Sequence, residues 1–493
     1  YKELRRDALA ADRWNRLHPT EPPRKPYLAQ QLEGRDGPVV AATDYIKAVP
    51  DLIALAMDEP AGRKLVERSE VDFRTRSFAC YGLGLIVYRT KNAELKQKVF
   101  EAMKTMVELG TNNRVHRDLI VAPLQSMRLL RPNVETPAGK SLRDDAIEFL
   151  SAYMAKPDKE VYAQIRSHAY IAAAELLGRG GDSTGLITTR MMEDVKNRRQ
   201  KQWIHQSAIL ALGQIALPEN LEVSTAIQDY MKRGKDLQAK YFCAIALGQI
   251  GGDKNRSFLI SRIKRAKSLE KPWIAVGLAI MDYQVRSKDQ NYEGDPTAAM
   301  AIKREFDRTK NQMYAAGMAI ALGVMKHSDS GDAIMDRLLK VKSQDQPAGY
   351  MAVALGLMGY QDAKDTIKSL LETAKRRPKL LTQCAIALGL LGDKEVSTGL
   401  ITFIQDKQVV AVYSAISQAL GWIGDKRSIN PLITMLQDKS IKELPRAFAA
   451  VALGLVGDKE ELPWNSKIAV NNNYRANVET LTGNNGTGIL DIL

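Results

Sequence analysis

The chain has 493 residues, of which 45% are hydrophobic and 26% charged, and this composition excludes an intrinsically disordered protein. Lys and Arg together number 71 against 57 for Asp and Glu, so the formal net charge is +14 and an acidic partner is permitted. The longest clear apolar run, Trp273 to Met281, is shorter than the ~20 residues of a membrane helix, and we expect no membrane-spanning segment.

In chain order, the sequence divides into four parts. Residues 1–38 predict a charged N-terminal helix and a Pro-rich linker, because residues 18–38 contain five Pro. Residues 39–180 are expected to form degenerate helical repeats and residues 181–458 regular ones. Residues 459–493 depart from the repeat pattern, since Asn, Gly and Thr replace the helix-forming residues.

A phrase built on Ala-x-Ala-Leu-Gly recurs through the regular part. The Leu of its Leu-Gly pair stands at Leu212, Leu247, Leu322, Leu355, Leu388, Leu420 and Leu453. Most steps are 32 to 35 residues, and the single step of 75 contains a degenerate copy at Leu278. Periods of this size indicate stacked supersecondary units. With weaker copies upstream, the sequence predicts an all-α protein, an α-α superhelix (solenoid) of about ten or eleven helical hairpins.

One unit shows how each hairpin is built. Ile429, Leu432, Ile433 and Leu436 stand at helical spacing and predict an amphipathic first helix. The stretch KELPRAFAAVALGLVG that follows predicts a second helix whose small residues permit close approach of its neighbours. Gly-Asp pairs recur after second helices, so Gly is expected to end one helix and Asp to cap the next.

An amphipathic helix, a short polar turn and a helix ending in AxALGxxGD resemble the HEAT-repeat family, specifically the short HEAT-like class first named for phycobilisome lyases. The resemblance covers residues 180–460 well and 40–180 loosely. It implies the superhelical fold but no single function, because the class includes scaffolds, adaptors, assembly factors and a few enzymes. The family often places Arg early in the second helix; Arg76 and Arg446 fit, whereas His205, Lys240 and Tyr413 occupy that place elsewhere.

No catalytic, cofactor-binding or metal-binding site is expected from the sequence. No two of the five His have ligand spacing on one helix, and no nucleophile elbow, phosphate loop or dinucleotide motif is present. His205 is interpreted as a packing or capping residue. Cys80, Cys243 and Cys384 stand in Ala-rich apolar stretches, so we expect three buried free thiols.

Basic residues recur at the ends of the first helices. Because the repeats stack in register, these charges are expected to line one edge of the solenoid, either as helix C-terminal partners or as a basic ridge for a polyanion. The candidate ridge consists of Arg198, Arg199, Lys232, Arg233, Lys264, Arg265, Arg308, Lys342, Arg376 and Arg377.

The C-terminal part has two possible roles. Trp464, Ile468, Val470 and Tyr474 are expected to cover the exposed last helix pair as a cap. Alternatively, the part is a docking peptide for another subunit, by strand addition or groove binding. The candidate docking residues are Trp464, Tyr474, Ile489, Leu490, Ile492 and Leu493.

Three functions follow as hypotheses. The first is a non-enzymatic scaffold that holds protein partners, or copies of itself, on the curved surface of the solenoid. The second is a binder of nucleic acid or acidic glycan through the basic ridge. The third is an enzyme resembling bilin-attaching lyases or DNA-repair glycosylases. No small-molecule substrate is evident. The Asn-rich end resembles exported bacterial HEAT-like proteins, which favours the bacterial cell envelope over the cytoplasm.

Overall fold

A computed structural model describes residues 11, 24–25, 48–110, 115–374, 376–393, 395–405, 410–457, 471–482 and 488–492. Contacts divide the chain into two compact units, residues 1–49 and residues 50–493. The predicted N-terminal helix and Pro-rich linker lie almost entirely outside the described residues. The architecture below is that of the second unit.

All regular secondary structure in the described ranges is helical. In chain order, the helices of the first half are α1 (Val49–Met57), α2 (Pro60–Leu65), α3 (Phe73–Arg89), α4 (Ala93–Leu109), α5 (Asp118–Met127), α6 (Pro137–Ala155), α7 (Ala163–Leu177), α8 (Leu186–Lys196), α9 (Gln202–Ile215), α10 (Leu221–Arg233), α11 (Leu237–Ile250) and α12 (Asp253–Arg265). Those of the second half are α13 (Lys271–Arg286), α14 (Pro296–Arg308), α15 (Gln312–Val324), α16 (Gly331–Val341), α17 (Asp345–Met358), α18 (Lys364–Thr373), α19 (Pro378–Leu390), α20 (Val396–Gln405), α21 (Val410–Ile423), α22 (Ile429–Gln437), α23 (Glu443–Gly457) and the short α24 (Ile489–Ile492).

These helices form a stack of hairpins. The odd-numbered helices from α3 to α23 are the second helices of their hairpins, and each packs against the next second helix in the chain. The even-numbered helices from α4 to α22 are the first helices and pack on their own second helices. The array has eleven second helices within the described residues. This arrangement confirms the predicted all-α superhelix and the expected number of hairpins.

Glycine in the Leu-Gly phrase explains why the second helices stack so closely. A Cβ atom added to Gly248 would lie 2.4 Å from the carbonyl oxygen of Gly277 on the next second helix. At Gly323 the equivalent distance to the carbonyl oxygen of Ala354 would be 2.5 Å. Both distances are shorter than any real Cβ contact, so only glycine permits this approach of the two backbones. The recurring phrase is therefore a packing requirement.

A second recurring position joins the two helices of one hairpin. The fourth residue of several second helices donates a side-chain hydrogen bond to a main-chain carbonyl at the end of an earlier helix, and these carbonyls would otherwise lack a helical partner. The earlier helix is the first helix of the same hairpin, except for Arg76 of α3, whose acceptor lies in α1. The bonds run from Arg76 to Ala56, Arg166 to Lys156, His205 to Asn197, Lys240 to Lys232 and Arg446 to Leu436. The early Arg of the family pattern is thus structural here, and His and Lys replace it as donors.

The Gly-Asp pairs behave less uniformly than predicted. Gly424 has a φ of 61°, and the Asp425 carboxylate accepts the amide of Arg427, as expected of a helix end followed by a cap. Asp253 is different. It is the first residue of α12, whose cap position is Gly252 and has no side-chain hydrogen bond. The prediction that the Asp caps the next helix is therefore confirmed at Asp425 and wrong at Asp253.

We expect Gly248→Ala to destabilise the array by about 1–3 kcal/mol, because the new methyl group overlaps backbone that cannot move independently. Gly454→Ala is the matched control. Gly454 occupies the same place in the Leu-Gly phrase, but no described atom lies within 4 Å of a Cβ atom built there. The control should be neutral or stabilising by up to about 1 kcal/mol through helix propensity. Urea unfolding monitored by circular dichroism measures both, and equal midpoints would contradict the packing explanation.

Candidate functional site

Residues 471–482, called the tail segment from here on, lie across the second helices of the N-terminal half. Asn471 contacts Gln249 on α11, and Ala476 contacts His168 on α7. Thr480 contacts Tyr81 on α3. The tail segment therefore crosses α11, α9, α7, α5 and α3 in the reverse of their order in the chain. The surface of these five helices that contacts it is called the groove.

Main-chain atoms of the tail segment are bound by side chains of the groove. Three carbonyl oxygens accept hydrogen bonds and one amide donates one, so this part of the recognition does not depend on the side chains of the tail segment. The bonds are Trp203 Nε1 to the oxygen of Arg475 at 3.2 Å, His168 Nε2 to that of Ala476 at 2.8 Å, Gln164 Nε2 to that of Asn477 at 2.7 Å, and the Thr480 amide to Asp118 Oδ1 at 2.6 Å.

Side chains of the tail segment add a second set of contacts. The Asn473 amide donates to Ser207 Oγ at 3.0 Å and accepts from the main-chain amide of Arg475 at 3.1 Å. The Thr480 hydroxyl is 3.2 Å from the Tyr81 hydroxyl. Asn473, Ala476, Val478, Thr480 and Leu481 are all buried, whereas Tyr474, Arg475, Asn477 and Glu479 are exposed. The groove thus encloses a defined subset of the tail side chains.

The groove side chains come from two rows that helical geometry places on one face. The second residues of α3, α7, α9 and α11 all contact the tail segment: Arg74, Gln164, Trp203 and Gln238. The sixth residues of α7, α9 and α11 form the second row: His168, Ser207 and Phe242. Residues four apart lie on the same side of a helix, so register between stacked repeats aligns both rows.

His168 has a single tautomer that suits this role. Gln125 Nε2 lies 2.6 Å from His168 Nδ1, and the Gln125 oxygen accepts from Arg128 at 3.0 Å. Because the Gln125 amide nitrogen can only donate, Nδ1 is the acceptor and Nε2 carries the proton donated to Ala476. Burial is the main cause that lowers the pKa of His168, to about 4, and the Arg128 charge adds to it. His168 is therefore neutral at pH 7.

A cavity of about 210 Å³ lies where the tail segment begins. Its lining includes Arg179, Gln214, Gln249, Gln284 and Asn471. Arg179 reaches from the turn after α7 to the carbonyl oxygens of Gln249 and Ile250, each at 2.7 Å, at the end of α11. This contact joins hairpins that are two repeats apart and closes one end of the groove.

The tail also reaches the other end of the array. The Ile489 amide donates to the Thr480 oxygen at 2.8 Å, and the Leu490 amide to the Leu481 oxygen at 2.9 Å. Helix α24, which begins at Ile489, contacts α21, the tenth second helix. Residues near Thr480 are therefore connected with α3 on one side and with α21 on the other.

These contacts correct the sequence-based interpretation of the tail. Tyr474 does not cover the last helix pair: its ring packs edge-to-face on Phe242 of α11 at 5.5 Å, and its hydroxyl accepts from Gln238. Ile489 is buried and Leu490 is half-buried within this chain, and docking of these residues on another subunit stays a prediction. The remaining predicted residues, Trp464, Ile468, Val470, the Ile492 side chain and Leu493, lie outside the described residues.

The basic ridge residues lie at the ends of first helices or in the turns that follow them, and all are exposed except Arg377, the residue before α19. Arg377 is half-buried, and its Nε donates to Asp345 at 2.6 Å. Two further members have carboxylates nearby, since Lys232 is 3.7 Å from Asp229 and Arg308 is 3.5 Å from Glu305. The ridge is therefore partly neutralised, and polyanion binding stays a prediction.

Other candidate residues have structural roles. His205 donates from Nε2 to the Asn197 oxygen at 2.9 Å and lies 3.1 Å from the Tyr230 hydroxyl, which confirms its interpretation as a capping residue. Cys80, Cys243 and Cys384 are buried free thiols. Burial raises the pKa of Cys80 and of Cys384 to about 12 and strongly raises that of Cys243. No group of metal-ligating side chains and no helix long and apolar enough to span a membrane occurs in the described part of the chain.

Sequence reasoning missed His168, Gln164 and Trp203 as members of one site. A signal was present, because His168 and Ser207 stand directly before the apolar runs AYIAAA and AILAL of their second helices. A polar side chain on such a helix needs a hydrogen-bond partner. What the sequence did not provide was the partner, a main chain more than 260 positions away.

The family model of the PBS lyase HEAT-like repeat matches residues 412–438. The match takes in most of α21, the turn after it and α22. This chain therefore carries the PBS lyase HEAT-like repeat. The sequence-based recognition is confirmed, and the matched unit joins the second helix of one hairpin to the first helix of the next.

Curated relatives match only a short part of the chain. A stretch of 53 residues is 53% identical to the pyruvate dehydrogenase E1 component of Pseudomonas aeruginosa, and covers 11% of this chain and 6% of that protein. The E1 component of Escherichia coli K12 is 53% identical over 47 residues, which are 10% of this chain and 5% of the relative. The chain thus spans about a twentieth of the length of these relatives.

Solved structures align over most of the chain at low identity. An engineered protein is 16% identical with a TM-score of 0.28, over 83% of this chain and 99% of its own. A mutant of Kap121p is 10% identical with a TM-score of 0.38, over 92% of this chain and 56% of its own. The stacked hairpins of this chain, rather than these similarities, establish its fold.

We expect Asn473→Ala to weaken docking of the tail segment by about 1–3 kcal/mol, because it leaves the buried Ser207 hydroxyl without its partner. Hydrogen–deuterium exchange of peptides covering residues 471–482 measures this, and exchange of the Thr480 amide should accelerate about tenfold or more. Arg475→Ala is the control, because the Arg475 side chain is exposed while its carbonyl is retained. Equal exchange in the two variants would contradict the role of the Asn473 amide.

We also expect acid to destabilise the protein through His168. Its folded pKa of about 4 lies below the unfolded value of about 6.5, so the unfolded state binds more protons between these values. The contribution is fully present above pH 6.5 and is lost as the pH falls towards 4, by up to about 3 kcal/mol.

His168→Gln separates this effect from the titration of carboxylates. Gln cannot be protonated in this range but can still donate to the Ala476 oxygen. Urea unfolding at a series of pH values should therefore show a steeper loss of stability below pH 6.5 in the wild type than in the variant. Parallel curves would show that His168 is not a buried neutral residue.

Proposed function

We propose that this protein is a non-enzymatic, protein-binding scaffold whose groove holds a peptide segment of another protein. The observation that carries the proposal is the tail segment, which lies across five second helices and is bound through its main chain. Side chains that bind a main chain are suited to other peptides that take the same direction and the same turns. Peptides bound in grooves are a common mode of recognition between proteins.

The groove has the composition expected of a protein-binding surface. Its outer row combines Trp203, Arg74 and two glutamines, and Trp and Arg are enriched where binding energy concentrates. Its inner row is buried, and the His168 ring is held in place by its hydrogen bond with Gln125. An arrangement already held in place costs little conformational entropy when a ligand binds.

Two observations support the non-enzymatic part of the proposal. His168 and His205, the histidines on the second helices, each donate to a main-chain carbonyl. The hydroxyl beside His205 Nδ1 belongs to Tyr230, and burial raises the pKa of that phenol, which opposes its ionisation. The raised pKa values of the buried cysteines oppose thiolate formation.

Binding of a polyanion is the second candidate, and the exposure of most ridge residues favours it. The groove proposal is preferred because a peptide chain is actually bound there, whereas nearby carboxylates compensate three of the ridge charges. The two functions use different side chains and can be tested in one experiment.

The experiment compares three tagged full-length variants in affinity capture from native lysate, with and without nuclease. The reference is Ala476→Trp, which places a large side chain at a fully buried position and should release the tail segment. The second variant adds Trp203→Ala and Gln164→Ala, which remove two groove donors. The third instead adds Arg198→Glu, Arg199→Glu, Lys232→Glu and Arg233→Glu on the ridge.

We expect the reference to retain defined proteins through high salt, and the groove substitutions to reduce that recovery tenfold or more, because a Trp anchor and a hydrogen bond contribute together about 2–4 kcal/mol. The ridge substitutions should leave recovery unchanged. If recovery instead depends on the ridge residues or disappears with nuclease, the polyanion function replaces the proposed one.

A further inference from the structure

We infer, resting on the proposed function, that the groove recognises peptides with the sequence pattern Asn-x-x-Ala-x-Val-x-Thr-Leu. The tail segment is an internal copy of this pattern. A partner that carries this pattern in a segment with the same turns would then displace the tail segment. The tail segment therefore acts as an intramolecular competitor of such a partner.

Direction and register are set by the main-chain contacts. The donors Trp203, His168 and Gln164 bind three consecutive carbonyl oxygens, from Arg475 to Asn477. Asp118 accepts the amide of Thr480, three residues further on. The groove presents donors at one end and an acceptor at the other, so the peptide can bind in only one orientation. A shift of the peptide by one residue would place main-chain groups opposite side chains that cannot bond them.

Side-chain selectivity comes from the buried positions. Ala476, Val478 and Thr480 are buried and alternate with the exposed Asn477 and Glu479. Turns on either side hold this arrangement, because the Ala476 amide donates to the Asn473 oxygen and the Leu481 amide to the Val478 oxygen. Ala476 is fully buried, so a larger side chain cannot enter without displacing the segment. Thr480 is fully buried too, with its hydroxyl on Tyr81.

Asn473 is the most specific member of the pattern. Its amide nitrogen reaches both Ser207 Oγ and the Trp203 oxygen, while its amide oxygen accepts the Arg475 amide. Aspartate at this position would bury a negative charge and would have no amide to donate to Ser207. Leucine would leave both the Ser207 hydroxyl and the Arg475 amide without their present partners. An asparagine is therefore required at this place, three residues before the alanine.

Competition follows from the covalent connection. A tethered segment acts at an effective concentration in the millimolar range, so a free peptide with a Kd of about 10 μM would bind the intact protein about 100-fold more weakly than it binds a protein with its tail released. The free peptide makes the same hydrogen bonds and buries the same residues on both proteins. The ratio of its two Kd values therefore measures how far the tail segment occupies the groove of the intact protein.

The test uses the full chain and a labelled dodecapeptide, NNNYRANVETLT, that corresponds to residues 471–482. Fluorescence anisotropy measures its affinity for the wild type and for the Ala476→Trp protein. We expect binding to the variant to be at least tenfold tighter. A second release variant, Asn473→Asp, should give the same result, and the circular dichroism and unfolding midpoint of each protein establish that it is folded.

Two altered peptides test the pattern on the Ala476→Trp protein. A peptide with Trp in place of the alanine should lose at least tenfold in affinity, whereas one with Ala in place of the arginine should bind as the unaltered peptide does. The inference is overturned if the folded release variants bind the peptide no better than the wild type, or if both altered peptides bind equally well.

This outcome is separable from that of the proposed function. If the peptide binds the release variants as expected but the groove substitutions leave every captured protein in place, the groove pattern stands and the scaffold function through the groove fails. If captured proteins depend on the groove but the dodecapeptide does not compete with them, the scaffold function stands and the pattern fails.

Discussion

The close approach of consecutive second helices is the constraint on which the rest of the structure depends. At Gly248 and Gly323 the backbone of one helix meets the backbone of the next without an intervening side chain. Such contacts leave little freedom in how one hairpin is placed on its neighbour, because the overlap is backbone against backbone. Each second helix is consequently presented in nearly the same orientation as the one before it. In a repeat protein, stability is approximately a sum of such nearest-neighbour terms.

Because this orientation repeats, residues at equivalent positions of successive second helices form rows. The second and sixth residues of α7, α9 and α11 meet the tail segment because stacked helices with the same placement present the same positions. The capping residue at the fourth position lies on another face of the second helix and contacts the first helix of its own hairpin. One helix therefore carries three separate requirements on different faces: glycine for stacking, a donor for the hairpin, and polar side chains for the groove.

The sequence predicted the parts of this structure that repeat. The Leu-Gly phrase and its spacing were sufficient for the fold and the hairpin number, and the apolar surroundings of the cysteines were sufficient for their burial. The position of Tyr474 was predicted wrongly, because a single sequence shows that a segment has left the repeat pattern but not which distant surface it contacts. The groove residues were missed for a related reason. Gln164, Trp203 and Gln238 are ordinary residues at the start of a helix, and only their shared partner identifies them.

The tail segment constrains how the repeats are placed relative to one another and couples that placement to ligand binding. Apart from the tail segment and the Arg179 contact, the hairpins are coupled mainly to their nearest neighbours, so distant parts of the solenoid would otherwise be independent. The tail segment contacts five second helices at once, and through Ile489 and α24 it is continuous with contacts to α21. A change in the relative placement of α3 and α11 would strain several hydrogen bonds together, so the occupied groove favours one arrangement of the N-terminal repeats. By linkage, whatever releases the tail segment also releases that constraint, and binding in the groove is coupled to the geometry of the repeats that form it.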